Sequence, residues 1–328
     1  MSASASVPGE MQIYGDDIRF GVHSGPQNTT IDEYRDLWVR CEELGYDWVS
    51  DFDHFLPIVS DPTGPQFEGT TLLAAMAERT SRVRCGMLVL GVTYRHPAVV
   101  ANIAATIDHV SGGRLELGMG AAWFELEHEQ YGIPFPRIGV RMDMLDEACR
   151  IVRSLWTQET TTFEGKHFQL KDARMEPKPL QEHLPLLIGG SGERRTLRIV
   201  AEHADIWHTG YGNGDEYRHK LDVLAGHCAD VGRDPAEVRK SLTFRAVLAE
   251  DERAAQERVT EIFGGPPPER MRDMYIVGTP EQCVERLREY ADLGVGDFLL
   301  GSLPPVDWQT IELVAESVAP ALKSAVAT

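Results

Sequence analysis

Residues 83–92 read VRCGMLVLGV. The run carries one charge and does not alternate. It therefore predicts a strand that is apolar on both faces, as the inside of an all-parallel sheet requires. Before it lies the helical TLLAAMAERT. After it, beyond YRHP, a helix is expected from about 98 to 110, with Pro97 suited to its first turn. The same rhythm extends in both directions. Further strands read IRFGVH (18–23), YDWVS (46–50), RLELGMG (114–120), LPLLIGG (184–190), ADIWHTG (204–210), VRKSLTFRAVLA (238–249) and VGDFLLGS (295–302). Helical patterns fall at 31–44, 139–156, 215–231, 251–263, 280–293 and 307–325. Eight strands, each followed by a helix, predict an α/β fold of the (β/α)8 TIM-barrel type rather than a doubly wound sheet. Between strands four and five, TTTFEGKHFQLKDARMEPKP alternates about a glycine turn and predicts an inserted β-hairpin. Residues 1–15 read as a disordered start, and 16–328 as a single domain.

Composition narrows the function. Of 328 residues, 42% are hydrophobic and 25% charged, enough to bury a sizeable core. No apolar run approaches the roughly 18 residues of a membrane span, and the N-terminus lacks a secretory pattern. A net charge of −19 disfavours nucleic acid and anionic membranes as partners. The five cysteines are scattered with no CxxC, which predicts reduced thiols and a cytoplasmic location.

In a barrel the active site lies at the C-terminal ends of the strands. SDFDHFLP (50–57) leaves strand two there, presenting Asp51, Asp53 and His54. The cluster suits a metal site, an acid/base pair or a polar turn. A metal is disfavoured, because other strand ends offer few ligands and no HExxH occurs; His208 is the best second candidate. A Schiff-base lysine is missing from the strand ends, since Lys240 begins its strand. IGGSGERRT (188–196) runs from strand through Gly189, Gly190, Ser191 and Gly192 into a helix, a cradle for phosphate. GMGAAW (118–123) is a second small-residue loop, without the surroundings of a Rossmann motif.

Together SDFDHFLP, TYRHPAVVANIAATIDHVSGGRLELGMGAAWFELEHEQYGIPFP (93–136) and LPLLIGGSGERRTLRIVAEHADIWH (184–208) resemble the bacterial luciferase-like superfamily, most closely its coenzyme F420-dependent oxidoreductase branch. The resemblance implies a TIM barrel holding an 8-hydroxy-5-deazaflavin. It implies that Asp53 helps hold this ring and that His54 stands where hydride moves. It places a non-prolyl cis peptide within Met87, Leu88 and Val89, against the back of the ring. Gly120, Ala121 and Ala122 would lie along the cofactor's side chain, and Gly189 to Gly192 would hold its phosphate.

Two departures stand out. Trp123 occupies the position where the family's sugar-phosphate dehydrogenases carry a catalytic Glu, and Ile58 the position of a Trp. With no basic set identifiable for a substrate phosphate, a sugar phosphate is not expected. The pocket, with Phe55, Trp123 and Trp207, suits a small organic molecule. The expected reaction is hydride transfer between F420 and such a molecule, with His54 handling the proton. The alternatives are an FMN-dependent monooxygenase served by a separate reductase, and a non-catalytic flavin-binding barrel. The resemblance also implies a homodimer.

Overall fold

The computed structural model describes residues 17–210, 212–265 and 274–326; residues 1–15, expected to be a disordered start, lie outside the described residues. In chain order the strands are β1 (Arg19–His23), β2 (Trp48–Asp51), β3 (Arg84–Gly91), β4 (Leu115–Gly120), β5 (Thr161–Glu164), β6 (Gln169–Ala173), β7 (Leu186–Gly189), β8 (Ile206–Gly210), β9 (Arg239–Leu248), β10 (Tyr275–Gly278) and β11 (Val295–Gly301). All but β5, β6 and β10 form one parallel ring, in the order β1-β2-β3-β4-β7-β8-β9-β11, and β11 returns to β1. These eight are the strands expected from sequence.

The helices that shape the site are α1 (Ile31–Glu43), α2 (Gly69–Arg79), α3 (Pro97–Ser111), α4 (Glu125–Tyr131), α5 (Ile138–Thr157) and α6 (Thr196–His203). Local chemistry fixes their ends. Thr30 and Glu33 form a capping box at the start of α1. Pro97 opens α3, and Gly112 closes it in the left-handed conformation. Among the described residues no helix is long and apolar enough to cross a membrane. All five cysteines are buried thiols.

The barrel interior is layered. At the N-terminal ends of the strands Arg19 bonds Glu116 and Asp297, both at 2.7 Å; Arg84 also bonds Glu116, and Arg239 bonds Asp297 at 2.7 Å. Burial opposes charge on Glu116 and Asp297, but the arginines outweigh it and hold both carboxyls below the usual range. Above this ionic floor sit Trp48, Leu88, Leu187, Ile206 and Leu299. The opposite strand faces, including Phe20, Leu115, Leu186 and Phe244, pack under the helices.

Three elements differ from expectation. Strand β10 lies between the helices expected at 251–263 and 280–293, where no strand is expected. It pairs with the upper half of β9, at Arg245–Leu248, after β9 has left β11, so it is an appendage to the barrel. Helix α4 follows β4 where only a small-residue loop was expected. The last helix is interrupted by a π-turn at Val314–Val318. The inserted hairpin β5–β6 is present. Its turn is held by Glu147 of α5, which accepts the N–H groups of Lys166, His167 and Phe168 at 2.7 to 3.0 Å.

Candidate active site

The chain leaves β2 and turns through Phe52, Asp53 and His54 at the C-terminal mouth of the barrel. Asp53 has no exposed side-chain surface. Arg95 grips it with two bonds, at 2.7 and 3.0 Å, and the Gly91 N–H approaches it at 3.3 Å. Arg95 also bonds Glu68, the residue that caps α2. Burial pushes the Asp53 carboxyl up, against the pull of Arg95. Its side chain thus ties the loop after β2 to the end of β3 and to the start of α2.

His54 points the other way. Its Nδ1 lies 2.8 Å from Oε1 of Glu127, a fully buried carboxylate on α4. Glu127 also accepts the Tyr94 hydroxyl and, at 2.8 Å, the Phe55 N–H. Burial disfavours charge on Glu127, but the bonds from His54 and Tyr94 prevail and hold its carboxyl below the usual range. A carboxylate accepts, so the imidazole proton at this contact belongs to Nδ1. Nε2 is left without a hydrogen-bond partner among the described residues. Phe52, Trp123 and Phe124 wall the ring edge-on, with centroids at 5.4, 5.5 and 6.0 Å. Trp123 stands on the rim, 61% exposed. Phe55 packs between Tyr94 and Tyr131.

Asp51 is buried next to this pair. It accepts the Phe52 N–H at 2.6 Å and the Tyr34 hydroxyl at 3.2 Å, while Oδ2 has no partner. Burial pushes its carboxyl well up.

Across the mouth, β3 carries an irregularity between Met87 and Leu90, and the Leu88–Val89 peptide is cis. The extra residue turns both Leu88 and Val89 inward. Met87 keeps the outward orientation and joins the core under the helices. It therefore does not line the site as expected. A side chain at Gly118, Gly120 or Gly189 would come within 3.0 Å of Val89, so the three glycines are the space into which Val89 projects. Gly120, Ala121 and Ala122 follow at the end of β4, and Ala122 adopts φ 58°. The loop Gly189–Gly192 leads into the N-terminus of α6, with Ser191 and Gly192 exposed.

Trp207 is a correction. On β8 the inward positions are Ile206 and His208, so Trp207 faces out. It is fully buried, stacks on Tyr217 and donates to the Gly190 carbonyl at 2.8 Å. It supports the Gly189–Gly192 loop from behind and is not a pocket wall. His208 is held by Ser241 at 2.9 Å and Thr243 at 3.1 Å.

Sequence reading missed Glu127, Tyr94 and Arg95. Glu127 sits in FELEHEQY, where three acids fall at alternate positions and nothing in the sequence marks the one that is buried. Only the helix, which sets residue 127 one turn beyond Trp123, separates it from its exposed neighbours.

A sequence model of the family described as luciferase-like monooxygenase matches residues 16–268. An F420-dependent glucose-6-phosphate dehydrogenase of Microbacterium testaceum is 29% identical over 334 residues, covering 93% of this chain and 98% of the relative. A protein of the same name from Intrasporangium calvum is 31% identical over 294 residues, covering 80% and 86%. Among solved structures, an F420-dependent secondary alcohol dehydrogenase in complex with an F420-acetone adduct superposes with a TM-score of 0.81 at 21% identity, covering 93% and 99%. The two dehydrogenases overturn the exclusion of sugar phosphates drawn from Trp123 and Ile58. A carboxylate does stand beside His54, supplied by Glu127 rather than by position 123. With the family model spanning most of its length, the chain belongs to the luciferase-like monooxygenase family.

Proposed function

We propose that this protein is an F420-dependent oxidoreductase. It moves a hydride between the deazaflavin and a small hydroxylated or carbonyl substrate, a class that includes sugar phosphates. The observation that carries the reading is the buried His54–Glu127 pair at the barrel mouth, with Nε2 of His54 directed away from its partner. When bound, F420 supplies the hydride acceptor or donor. The residues present suit such a group. The Val89 projection and the glycines around it offer a flat surface, and Ser191 and Gly192 with the start of α6 offer N–H groups to a phosphate, the Gly190 N–H being bonded to the His208 carbonyl. Gly120, Ala121 and Ala122 would flank the chain between them.

His54 takes the proton from a substrate hydroxyl at Nε2, or returns it to a carbonyl oxygen. Glu127 fixes the ring and stabilises the imidazolium formed in the first direction. Tyr94 and the Phe55 N–H keep Glu127 ionised in its buried position. Phe52, Trp123 and Phe124 exclude water from this contact. The reading includes a cytoplasmic location, in keeping with five buried thiols, and a homodimer.

The test is a titration of the protein with F420 and separately with FMN, followed by assay of F420 reduction with glucose 6-phosphate and with secondary alcohols. Tight F420 binding and turnover of at least one substrate are expected. Binding of FMN in place of F420 would replace the reading with a monooxygenase that needs a separate reductase.

A further inference from the structure

The barrel interior holds four strand-borne arginines. Three of them, Arg19, Arg84 and Arg239, share Glu116 and Asp297 at the floor. The fourth, Arg245, lies at the opposite end. On β9 the inward positions are Ser241, Thr243 and Arg245. The first two bond His208, and a side chain built at Gly301 would touch Thr243 and Arg245 together. Among the described residues no hydrogen bond or ion pair reaches the Arg245 guanidinium.

In a chain of net charge −19 an inward cation without a carboxylate is unusual. Among the described residues, the groups that feel its charge are not acidic. The charge of Arg245 reaches His23, on the end of β1, and Tyr275, its strand partner on β10. His23 meets Ser50 at 2.9 Å through Nδ1, and nothing among the described residues engages its Nε2. Burial first, and then the charges of His208 and Arg245, lower the His23 imidazole to about 3; burial lowers His208 to about 4. Both rings are therefore neutral at working pH. Phe52 stands between His23 and His54, with ring centroids 6.1 Å from the one and 5.4 Å from the other. One mouth thus carries a proton-handling histidine on one side and an unpaired guanidinium on the other.

We propose that Arg245 anchors an anionic group of the substrate, a phosphate or a carboxylate, across the Phe52 ring from His54. The inference rests on the reading of this mouth as an F420-dependent hydride-transfer site and names the class of substrate that enters it. A guanidinium presents a planar fork that matches two oxygens of either group. With no carboxylate among the described residues to repay its partial burial, Arg245 gains most from a ligand that brings its own negative charge. Nε2 of His23 adds a further polar atom beside it. The Gly189–Gly192 loop, at the end of a different strand, leaves Arg245 to the substrate rather than to the cofactor.

The test uses F420-loaded wild type, Arg245→Met and Arg245→Lys. Each is titrated calorimetrically with glucose 6-phosphate, gluconate, inorganic phosphate and glucose, and F420 affinity is measured separately by its fluorescence. Wild type is expected to bind at least one of the anions and to prefer it to glucose. Arg245→Met should weaken that binding about tenfold to a hundredfold, Arg245→Lys should recover part of it, and F420 affinity should stay within about twofold. Preference for glucose 6-phosphate and phosphate assigns a phosphate group; preference for gluconate assigns a carboxylate. The proposal is overturned if wild type binds none of the anions, if Arg245→Met binds them as wild type does, or if F420 affinity falls in step with them. Failure of wild type to bind F420 at all is a different result and removes the underlying reading.

Discussion

His54 and Glu127 are 73 positions apart in sequence and 2.8 Å apart in space, and their pairing fixes the imidazole ring. A lone histidine at a strand end can be a satisfied core residue. One whose Nδ1 is fixed by a buried carboxylate presents Nε2 in a single tautomer and orientation. His54→Ala should therefore lower kcat about a hundredfold or more, the usual scale for a lost acid/base group, while F420 affinity is retained. Glu127→Gln keeps the shape of the partner but removes its charge, and should cost about tenfold to a hundredfold in kcat. Stopped-flow measurement of F420 reduction checks both. Unchanged kcat in His54→Ala would remove His54 from the chemistry. The opening cluster is thereby sorted by environment. Asp53 is a buried clamp on Arg95, Asp51 is buried under Tyr34 and the Phe52 N–H, and only His54 faces the mouth.

At the scale of elements, the eight barrel strands were legible because their signal is local: VRCGMLVLGV and LPLLIGG are too apolar to be anything but interior. What escaped depended on partners far away in sequence. The four residues of β10 make a strand only because β9 outruns β11 and leaves its upper half unpaired. Trp207 looked like a pocket wall because strand parity is invisible until the inward register of Ile206 and His208 is known. The irregularity in β3 shows the same dependence, since Val89 projects inward only where β4 and β7 offer glycines. A methyl group at Gly118 would lie 2.1 Å from the Met87 carbonyl oxygen and 2.9 Å from Val89. The carbonyl is backbone and cannot swing aside. Gly118→Ala should therefore destabilise the fold by about 2 kcal/mol or more, at the upper end of overpacking costs. Urea denaturation measures it, and a loss below about 0.5 kcal/mol would mean that β3 and β4 are not packed this closely.

For the whole molecule, two inward histidines make stability depend on pH. His23 and His208 are lowered to about 3 and about 4, chiefly by burial. An unfolded chain protonates both near pH 6.5, whereas the folded barrel does not until well below that. As pH falls from about 6.5 towards 4 the unfolded state therefore takes up protons that the folded state refuses, and stability falls with it. His208→Gln can still bond Ser241 and Thr243 but does not titrate. It should lose about 2 kcal/mol less than wild type between pH 7 and pH 5. Denaturation curves at the two pH values decide this, and equal losses would show that His208 does not contribute.

The outer surface carries a second consequence of the same acidic sequence. Two copies of a chain with net charge −19 repel, so a face through which they associate must itself be free of charge. Helix α3 supplies one. Its outward residues Val99, Asn102, Ile103, Thr106 and Val110 carry none, with Val99 51% and Val110 41% exposed. The face continues across His109, which meets the Lys178 carbonyl at 2.9 Å, to Leu180, 54% exposed. Exposed apolar residues scattered singly are ordinary, and an uncharged stripe along one helix is the face on which two acidic copies would repel least. A two-fold axis through α3 would bring this stripe against its own copy, as an isologous contact requires. Sedimentation equilibrium should therefore give a dimer for wild type. Val110→Asp, which sets like charges opposite each other on the stripe, should give a monomer with unchanged secondary structure. A dimer that survives Val110→Asp together with Val99→Asp would place the contact on another face.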